Sequence, residues 1–404
     1  MDRRLKVLAA HLTAASPVQV CIVAAGRSPI GSYKGDLMSV SATDLAAETL
    51  KGVLAKAHID PSAIQELYLG NVISANLGQS PARQVALKAG LPPSVICTNV
   101  NKVCASGMKA TMLGAMAITQ GFADCIVVGG TESMSNVPYY LPGARFGYMR
   151  GDQKVVDGVV KDGLWDPLLD VHMGECAERC ADKHQISRAE MDRFSQLSFT
   201  RARAAWTGLK FASEIVPIQV PGSKPHLVSK DSMPGQNLDV TKARPAFRKN
   251  GKVTAGNASS LSDGSAMLVL ASRAKAEKNN WPVLATIESF ADYEAAPVDF
   301  PTAPSFAIQK ALERAQLTLN QVDFVEINEA FAVVNAANTQ LLGLPESKLN
   351  VYGGAVALGH PIGCSGARIL VTLLSILRQE GGAVGVAGIC NGGGGASAVV
   401  LRKA

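Results

Sequence analysis

The feature that most constrains the fold of this 404-residue chain is an internal echo between its two halves. In each half an asparagine ends a strand-like segment, a Ser-Gly pair opens a helix-like segment 35 or 37 residues later, and a glycine follows that serine by 23. The landmarks are Asn71, Ser106-Gly107 and Gly129 in the first half, and Asn328, Ser365-Gly366 and Gly388 in the second. Three matches in the same order indicate a duplicated unit, whose equivalent loops should meet across a pseudo-twofold axis.

Apolar, β-rich segments alternate with segments of helical periodicity, a pattern typical of an α/β fold with a parallel or mixed sheet. Strands are predicted at 19–26, 66–74, 123–132, 267–272, 283–291, 322–330 and 383–392. Helices are predicted at 41–57 and 305–316, and a third from Ser187 to Trp206, which opens with a Ser187/Glu190 capping box.

Residues 133–250 separate the two echoes and are rich in Gly, Pro and charge, so an irregular inserted lobe is predicted there. The predicted domains are a first half at 17–122 and 251–275, a loop domain with the last part of that half at 123–250, and a second half at 276–404. Residues 1–16 precede the first strand and are not needed by this core.

Composition argues against several classes of function. The net charge of +6 is mild, the basic residues are scattered and aromatic residues make up 5%, so no nucleic-acid surface is expected. No run of about 18 apolar residues lacks glycine and polar interruptions, so no membrane span is expected. Eight cysteines without regular spacing are typical of reduced intracellular thiols rather than of a disulfide scaffold.

One group of residues has a spacing that resembles a metal site. His172, Cys176, Cys180 and His184 follow one another at intervals of four. On a helix they form a stripe about 18 Å long that rotates by roughly 40° at each step. Such a stripe cannot converge on one tetrahedral ion, so no metal is predicted.

Cys104 stands directly before Ala-Ser-Gly at the start of a predicted helix. The free N–H groups and the positive end of a helix lower the pKa of a thiol toward the reactive thiolate. The small residues Ala105, Ser106 and Gly107 leave room for a substrate to approach. A lone cysteine is more often buried and inert, so the neighbouring chemistry decides its role.

Other reactive side chains accompany this thiol. His360 lies between Gly359 and Pro361, where it is poorly placed for packing and well placed to take a proton. Cys390 ends a strand before four glycines, whose backbone N–H groups suit an oxyanion. Asn328 offers an amide for a water or an oxyanion. Two thiols and one imidazole suggest a covalent nucleophile and an acid/base, with a disulfide pair as the weaker alternative.

Four segments together resemble the signature blocks of the thiolases: NKVCASGMKA (101–110), NEAFA (328–332), GGAVALGHPIGCSGAR (353–368) and the Cys390-Asn391-Gly392 turn. The resemblance covers nearly the whole chain and is closest to the short-chain acetyl-CoA acetyltransferases of the mitochondrial type. It implies a five-layer α/β/α/β/α sandwich of two duplicated halves with an inserted loop domain. It also implies condensation of two acetyl-CoA molecules to acetoacetyl-CoA and CoA, and the reverse thiolysis, by ping-pong catalysis.

The resemblance also assigns roles to residues. Cys104 takes the acetyl group, and His360 activates that thiol and later holds the enolate oxygen together with a water on Asn328. Cys390 removes a proton from the methyl group of the second acetyl-CoA. The backbone N–H groups of Cys104 and Gly392 hold the oxyanion of the acyl-enzyme. CoA is thus a substrate and product, and no cofactor is required.

The same resemblance places a set of residues against the acyl group and the pantetheine arm. They are Leu164, His172, Met173, Ala255, Ser259, Phe300, Ala330 and Phe331. Phe300-Pro301 resembles a pair in the mitochondrial enzyme that accepts 2-methyl-branched acetoacetyl-CoA. His172-Met173 is expected to narrow the acyl pocket.

Two features depart from the resemblance. Phe199 stands where potassium-activated relatives carry tyrosine, which argues against potassium activation, although Ala255, Gly256, Ala258 and Val356 offer carbonyl groups. Residues 224–245 do not match the basic residues near the CoA phosphates in the family. Lys230, Lys242 and Arg244 are therefore candidates only, and solvated surface charge is the alternative for each.

Two rival functions remain open at this point. A longer-chain peroxisomal 3-ketoacyl-CoA thiolase is the nearest rival, and His172-Met173 argues against it. A catalytically silent, thiolase-like lipid or sterol carrier is the other, and the presence of Cys104, His360 and Cys390 argues against that.

The N-terminal segment and one internal loop give expectations about location and assembly. RLKVLAAHL (4–12) resembles a type 2 peroxisomal targeting nonapeptide that an import receptor grips through an apolar stripe, and the basic N-terminus also fits a mitochondrial matrix address. The resemblance implies a homotetramer built through residues 137–151, with a dimer as the alternative.

Overall fold

The computed structural model describes residues 18–233 and 239–404. The targeting segment predicted at 4–12 therefore lies outside the described residues. Within them the strands are Val20–Arg27 (β1), Gly31–Ser32 (β2), Glu66–Gly70 (β3), Ile96–Val100 (β4), Cys125–Ser133 (β5), Tyr139–Tyr140 (β6), Val156–Asp157 (β7), Trp165–Asp166 (β8), Val171–His172 (β9), Ile218–Val220 (β10), His226–Val228 (β11), Ser262–Ser272 (β12), Ala285–Glu294 (β13), Phe324–Ile327 (β14), Val384–Asn391 (β15) and Gly395–Lys403 (β16).

The α-helices in the same part of the chain are Ala42–Lys56 (α1), Pro81–Lys88 (α2), Ser106–Thr119 (α3), Met173–Lys183 (α4), Arg188–Thr207 (α5), Arg273–Lys278 (α6), Ala303–Arg314 (α7), Ala332–Leu342 (α8), Ala355–Leu358 (α9) and Ile362–Gln379 (α10). Short 3₁₀ turns lie at Pro61–Ala63, Met134–Asn136, Ala144–Phe146, Val240–Lys242, Pro297–Thr302, Leu319–Gln321 and Glu346–Lys348, and a π-helix at Val159–Leu164.

The main sheet displays the duplication directly. Its order is β14-β15-β16-β13-β1-β12-β5-β3-β4, with β2 paired to β12. The run β1-β12-β5-β3 of the first half and the run β13-β16-β15-β14 of the second share one pattern: the first two pairings are antiparallel and the last is parallel. The two runs join where β1 pairs with β13. The predicted duplicated α/β architecture is confirmed.

Helices complete five layers around these two half-sheets. α3 and α10 lie between them, where Met108 and Leu370 share an apolar cluster with Val128 of β5 and Val399 of β16. α1 covers the outer face of the first half-sheet, and α7 and α8 cover the outer face of the second. The order is the α/β/α/β/α sandwich that the resemblance implies.

The two central helices approach each other backbone to backbone at their first turns. A Cβ atom at Gly366 would lie 2.5 Å from the Met108 backbone nitrogen, and one at Gly107 would lie 2.9 Å from the Ala367 nitrogen. Any side chain at either position would push the helices apart, because real Cβ atoms do not approach so closely. These equivalent glycines therefore bring the loops before α3 and α10 to one place.

The strand ends differ from the sequence expectation in an informative way. Asn71 and Asn328 stand directly after β3 and β14, but the predicted strands 66–74 and 322–330 are too long. After Asn71, the N–H groups of Val72 and Ile73 donate to the Glu132 carboxylate instead of to a neighbouring strand. The chain leaves the sheet there because a side chain replaces the strand partner.

The inserted lobe is more regular than predicted. It contains α4, α5 and three short hairpins, formed by β6 with β7, β8 with β9, and β10 with β11. The Ser187 hydroxyl caps α5 by accepting from the Glu190 N–H at 3.1 Å. Among the described residues, Ile362–Gln379 is long and apolar enough to cross a membrane, but almost all of it is buried between the half-sheets as a core helix.

Candidate active site

Cys104 lies in a tight turn two residues before α3 begins. Val103, which precedes it, has a backbone φ of 46°, in the left-handed region that a β-branched residue rarely occupies. The Asn101 side chain accepts from the Val103 N–H at 3.0 Å and helps to hold this conformation. Strain of this kind persists only where the surroundings enforce it, and here it fixes the thiol.

The backbone N–H groups of Gly392 and of Cys104 itself favour the charged form of the thiol and so lower its pKa. Burial nevertheless raises the pKa of Cys104 to about 12, because the loss of water outweighs both donors. The expectation that the helix start lowers this pKa toward the thiolate is therefore wrong. At neutral pH the Cys104 thiol is uncharged.

His360 faces the same cavity from the loop between α9 and α10. Its Nδ1 lies 2.6 Å from the Ser365 hydroxyl, whereas the Asn328 amide nitrogen is 3.5 Å away. Its Nε2 is buried and has no hydrogen-bond partner among the described residues. Burial and then the positive charge of Arg368 lower the pKa of His360 to about 3, so the ring is neutral. It can therefore accept a proton.

Asn328 and Cys390 lie in the wall behind these groups. The Asn328 N–H donates to the Gly388 carbonyl at 3.0 Å, and its amide oxygen is buried without a partner among the described residues. Cys390 is fully buried at the end of β15. Burial and then the nearby Cys104 thiol raise the pKa of Cys390 well above its ordinary value.

A cavity of about 210 Å³ opens onto the thiol and the imidazole. The sequence-predicted residues that line it are Cys104, Leu164, His172, Met173, Ser259, Phe300, Ala330, Phe331, His360 and Gly392. Asn328 and Cys390 are buried beside it and do not form its surface. Ala255 is exposed and does not line it either.

Phe247 is a lining residue that the sequence reasoning missed. Its ring stacks on His172 at 4.8 Å and meets Phe331 edge-on at 6.4 Å. The His172 Nδ1 accepts from the Gly174 N–H at 3.0 Å, so the ring is held from both sides. Phe247 comes from an irregular segment with no periodicity, and nothing in the sequence signals its position. Together these rings narrow the cavity.

Glu132 is a second residue that the sequence did not single out. Its buried carboxylate accepts from Val72 at 3.0 Å, Ile73 at 3.2 Å and the Asn71 amide at 2.9 Å in the first half. It also accepts from the Gly363 N–H at 3.0 Å in the second half, three residues beyond His360. Burial raises the pKa of Glu132 to about 7 despite these donors. One side chain thus joins the loops on both sides of the cavity.

The described residues give little support to a bound metal. They contain no group of three His, Cys, Asp or Glu side chains suited to one, and Cys176 and Cys180 are buried in the core. Phe199 is buried as well, and the Gly256 carbonyl accepts from the Ser195 hydroxyl. Lys230, Lys242 and Arg244 are exposed, and Lys242 pairs with Asp239 at 3.1 Å.

Comparisons with known proteins agree with this geometry. Residues 20–274 match the model of the thiolase N-terminal domain, and residues 281–403 match that of the thiolase C-terminal domain. Acetyl-CoA acetyltransferase 1 of Arabidopsis thaliana is 53% identical over 96% of this chain and 94% of its own length. A cytosolic acetyl-CoA acetyltransferase of Gibberella zeae is 49% identical over 95% and 98%. The structure of an Ascaris suum thiolase in complex with coenzyme A superposes with a TM-score of 0.91 and 39% identity, covering 96% of this chain and 100% of that one.

Proposed function

The chain belongs to the thiolase family, and from that premise we propose that it is an acetyl-CoA C-acetyltransferase. It condenses two acetyl-CoA molecules to acetoacetyl-CoA and CoA and catalyses the reverse thiolysis. The observation that carries the proposal is one cavity lined by Cys104, Gly392 and His360, whose Nε2 has no hydrogen-bond partner among the described residues.

In the first half-reaction Cys104 attacks the thioester carbonyl of acetyl-CoA. His360 Nε2 takes the thiol proton, and the N–H groups of Cys104 and Gly392 hold the oxyanion of the tetrahedral intermediate. The C–S bond to CoA then breaks, and the leaving CoA sulfur takes the proton of Cys390. Two aligned donors are worth roughly 3 kcal/mol of transition-state stabilisation each, going by losses measured at other oxyanion holes.

In the second half-reaction the Cys390 thiolate removes a proton from the methyl group of the second acetyl-CoA. The protonated His360, with a water held by Asn328, stabilises the enolate oxygen. The carbanion attacks the acetyl carbonyl on Cys104, and the released Cys104 sulfur recovers its proton from His360. Both thiols and the imidazole return to their starting protonation states, so protons balance over the cycle.

The aromatic lining supports a short acyl chain. His172 stacked on Phe247, together with Met173, Phe300 and Phe331, encloses a cavity of only about 210 Å³. We propose that it accepts acetyl and acetoacetyl groups and disfavours the long chains of the rival 3-ketoacyl-CoA thiolase. Leu164, Ser259 and Ala330 line the same cavity and are proposed to contact the substrate.

The decisive experiment is the intact-protein mass after incubation with acetyl-CoA. The wild-type protein should gain one acetyl group, and the Cys104→Ala variant should gain none. A wild-type protein that gains no acetyl group would favour a silent carrier. The rates of thiolysis of C4 and C10 3-ketoacyl-CoAs distinguish the two enzymatic functions, since faster C10 turnover would reject the short-chain assignment.

Assembly, location and potassium dependence are finer proposals. We propose a homotetramer built through residues 137–151, where Tyr139, Phe146 and Met149 are exposed apolar side chains that a partner copy would cover. We propose a peroxisomal location through residues 4–12, with the mitochondrial matrix as the alternative. The relative described as cytosolic makes the cytosol a third outcome of a localisation experiment. Activity is proposed to be insensitive to potassium, because Phe199 lacks a hydroxyl and Ser195 occupies the Gly256 carbonyl.

A further inference from the structure

We infer that Ser106 and Ser365, which occupy equivalent places in the two halves, are positioning residues for Cys104 and His360. Each serine lies in the first turn of a central helix, and both are almost fully buried. Neither contacts the cavity, so each acts through the residue it holds. The inference rests on the proposed function, because it gives these serines a task only if the thiol and the imidazole react.

The contacts of Ser365 select one tautomer of His360. The Ser365 hydroxyl donates its hydrogen to the Pro361 carbonyl at 3.0 Å. Because it has one hydrogen, the same oxygen acts as an acceptor toward His360 Nδ1, which lies 2.6 Å away. In the arrangement that we infer, Nδ1 carries the ring hydrogen and Nε2 keeps its lone pair. The Asn328 amide, at 3.5 Å, is too distant to compete.

This tautomer is the one that the proposed chemistry needs. A bare Nε2 accepts the proton of Cys104, and the Ser365 oxygen stabilises the resulting imidazolium through the Nδ1 hydrogen. The charged group that acts on the ring is Arg368, which lies in α10 like Ser365, and Cys104 lines the same cavity as the ring. The contact with Ser365 is also the shortest hydrogen bond that the ring makes.

The contacts of Ser106 hold the turn that carries Cys104. The Ser106 hydroxyl donates to the Val103 carbonyl at 2.6 Å and accepts from the Lys102 N–H at 2.9 Å. It thereby closes the turn around Val103, whose positive φ is unfavourable for a β-branched residue. The positions of the Cys104 sulfur and of the Cys104 N–H group depend on the shape of this turn.

The Ser365 position is tested with a matched pair of variants that differ only in the hydroxyl. Ser365→Val should lower kcat by about 10- to 100-fold, the range expected for losing a hydrogen bond to a group that becomes charged. Its KM for acetyl-CoA should stay near that of the wild type, and Ser365→Thr should recover most of kcat. Ser375→Ala, on the same helix and away from the cavity, is the control.

A spectroscopic readout separates this inference from the proposed function. The chain has six histidines, and ¹⁵N-histidine labelling with His360→Gln as the reference spectrum identifies the two ring nitrogens of His360. The wild-type protein and Ser365→Thr should show a protonated Nδ1 and an unprotonated Nε2. Ser365→Val should show a mixture of tautomers, and Ser106→Ala should leave the His360 signals unchanged while slowing acetylation of Cys104.

Each result has a definite meaning. A wild-type ring protonated on Nε2, or full kcat in Ser365→Val, would overturn the role of Ser365 even in an active enzyme. Unchanged acetylation in Ser106→Ala would overturn the role of Ser106. A wild-type protein that shows the expected tautomer but is not acetylated would overturn the proposed function instead. If Ser365→Val does not fold, the kcat of Ser365→Thr and the His360 tautomer of the wild-type protein still test the role of Ser365.

Discussion

Equivalent strands in the two halves of the molecule end in residues of different chemistry. In the first half β5 ends in Thr131-Glu132-Ser133, and at the equivalent place in the second half β15 ends in Cys390-Asn391 followed by Gly392. The Thr131 hydroxyl donates to the Ala42 carbonyl at 2.9 Å, and Glu132 accepts from both halves. In the second half the corresponding residues supply a thiol and a free N–H group beside Cys104. One copy uses this position for structural hydrogen bonds, and the proposed function uses it in the other copy for reaction.

The two equivalent asparagines show the same division. The Asn71 amide nitrogen donates to Glu132 at 2.9 Å and to the Thr131 carbonyl at 3.3 Å. The Asn328 nitrogen has only the long contact to His360, whereas the side-chain oxygens of both asparagines are buried without a partner among the described residues. Buried polar atoms without partners are costly, so they persist where substrate or water satisfies them during reaction. The two asparagines therefore differ in the amide nitrogen, which is hydrogen-bonded in Asn71 and has only a long contact in Asn328.

The largest expected effect comes from replacing Cys390 with threonine, which is the residue at the equivalent position, Thr131, in the first half. Cys390→Thr should reduce the rate of condensation by about 10²- to 10⁴-fold, because a hydroxyl cannot replace the thiol as acid and base. Acetylation of Cys104 should still occur, but more slowly, since the nucleophile remains while the CoA sulfur must leave without the Cys390 proton. Steady-state rates and intact mass measure the two steps. Condensation within tenfold of the wild type would contradict the comparison.

A pH series tests whether Cys104 of the first half and His360 of the second half are both uncharged at neutral pH. Because burial raises the pKa of Cys104 to about 12 and lowers that of His360 to about 3, neither group is charged at neutral pH. Alkylation of Cys104 by iodoacetamide should therefore rise about tenfold per pH unit between about pH 6 and pH 9, since the thiolate is the reactive form. Peptide mass spectrometry follows the modification of this residue. A flat rate over that range would indicate a thiolate–imidazolium pair instead.

Replacing Glu132, whose carboxylate accepts hydrogen bonds from both halves, should mainly affect stability. In Glu132→Gln an amide NH₂ faces backbone N–H donors, which should lower the free energy of unfolding by about 1–3 kcal/mol. Denaturant unfolding measures this change. Glu288→Gln, which breaks an exposed pair with Arg402, is the control and should change stability by about 0.5 kcal/mol or less.

The pH dependence of this effect has a definite sign. Burial raises the folded-state pKa of Glu132 from 4.5 to about 7. The folded protein then holds this proton more tightly than the unfolded chain, so the contribution is fully present below pH 4.5 and is lost as pH rises through about 7. That component should vanish in Glu132→Gln. An equal slope in both proteins would exclude Glu132 as its source.

The smallest expected effect is at the first-half equivalent of Cys390. Thr131→Val removes the hydroxyl bonded to Ala42 and should cost about 1 kcal/mol of stability. The value of kcat should stay within twofold of the wild type, because this position has no part in the reaction. A large loss of activity without a loss of stability would contradict the prediction that Thr131 has only a structural role.

Much of this arrangement was predictable from particular residues. The echo predicted the duplication. Gly107 and Gly366, which belong to that echo, allow the first turns of α3 and α10 to pack backbone to backbone. The strand ends at Asn71 and Asn328 were placed correctly, whereas the strand lengths were not, because the Glu132 side chain replaces a strand partner. Phe247 could not be found, since a ring from an irregular segment leaves no periodic signal.

The sequence by itself determined the fold family and the duplication and predicted the reactive groups, because these depend on local pattern and on side-chain chemistry. Only the tertiary structure showed that burial keeps Cys104 and His360 uncharged at neutral pH. Helix position alone favoured a thiolate at Cys104, but burial from all sides reversed the sign of that pKa shift. The pKa of a buried group depends on the water it loses and on the donors and charges packed around it. These come from several segments of the chain, so no single segment predicts the pKa.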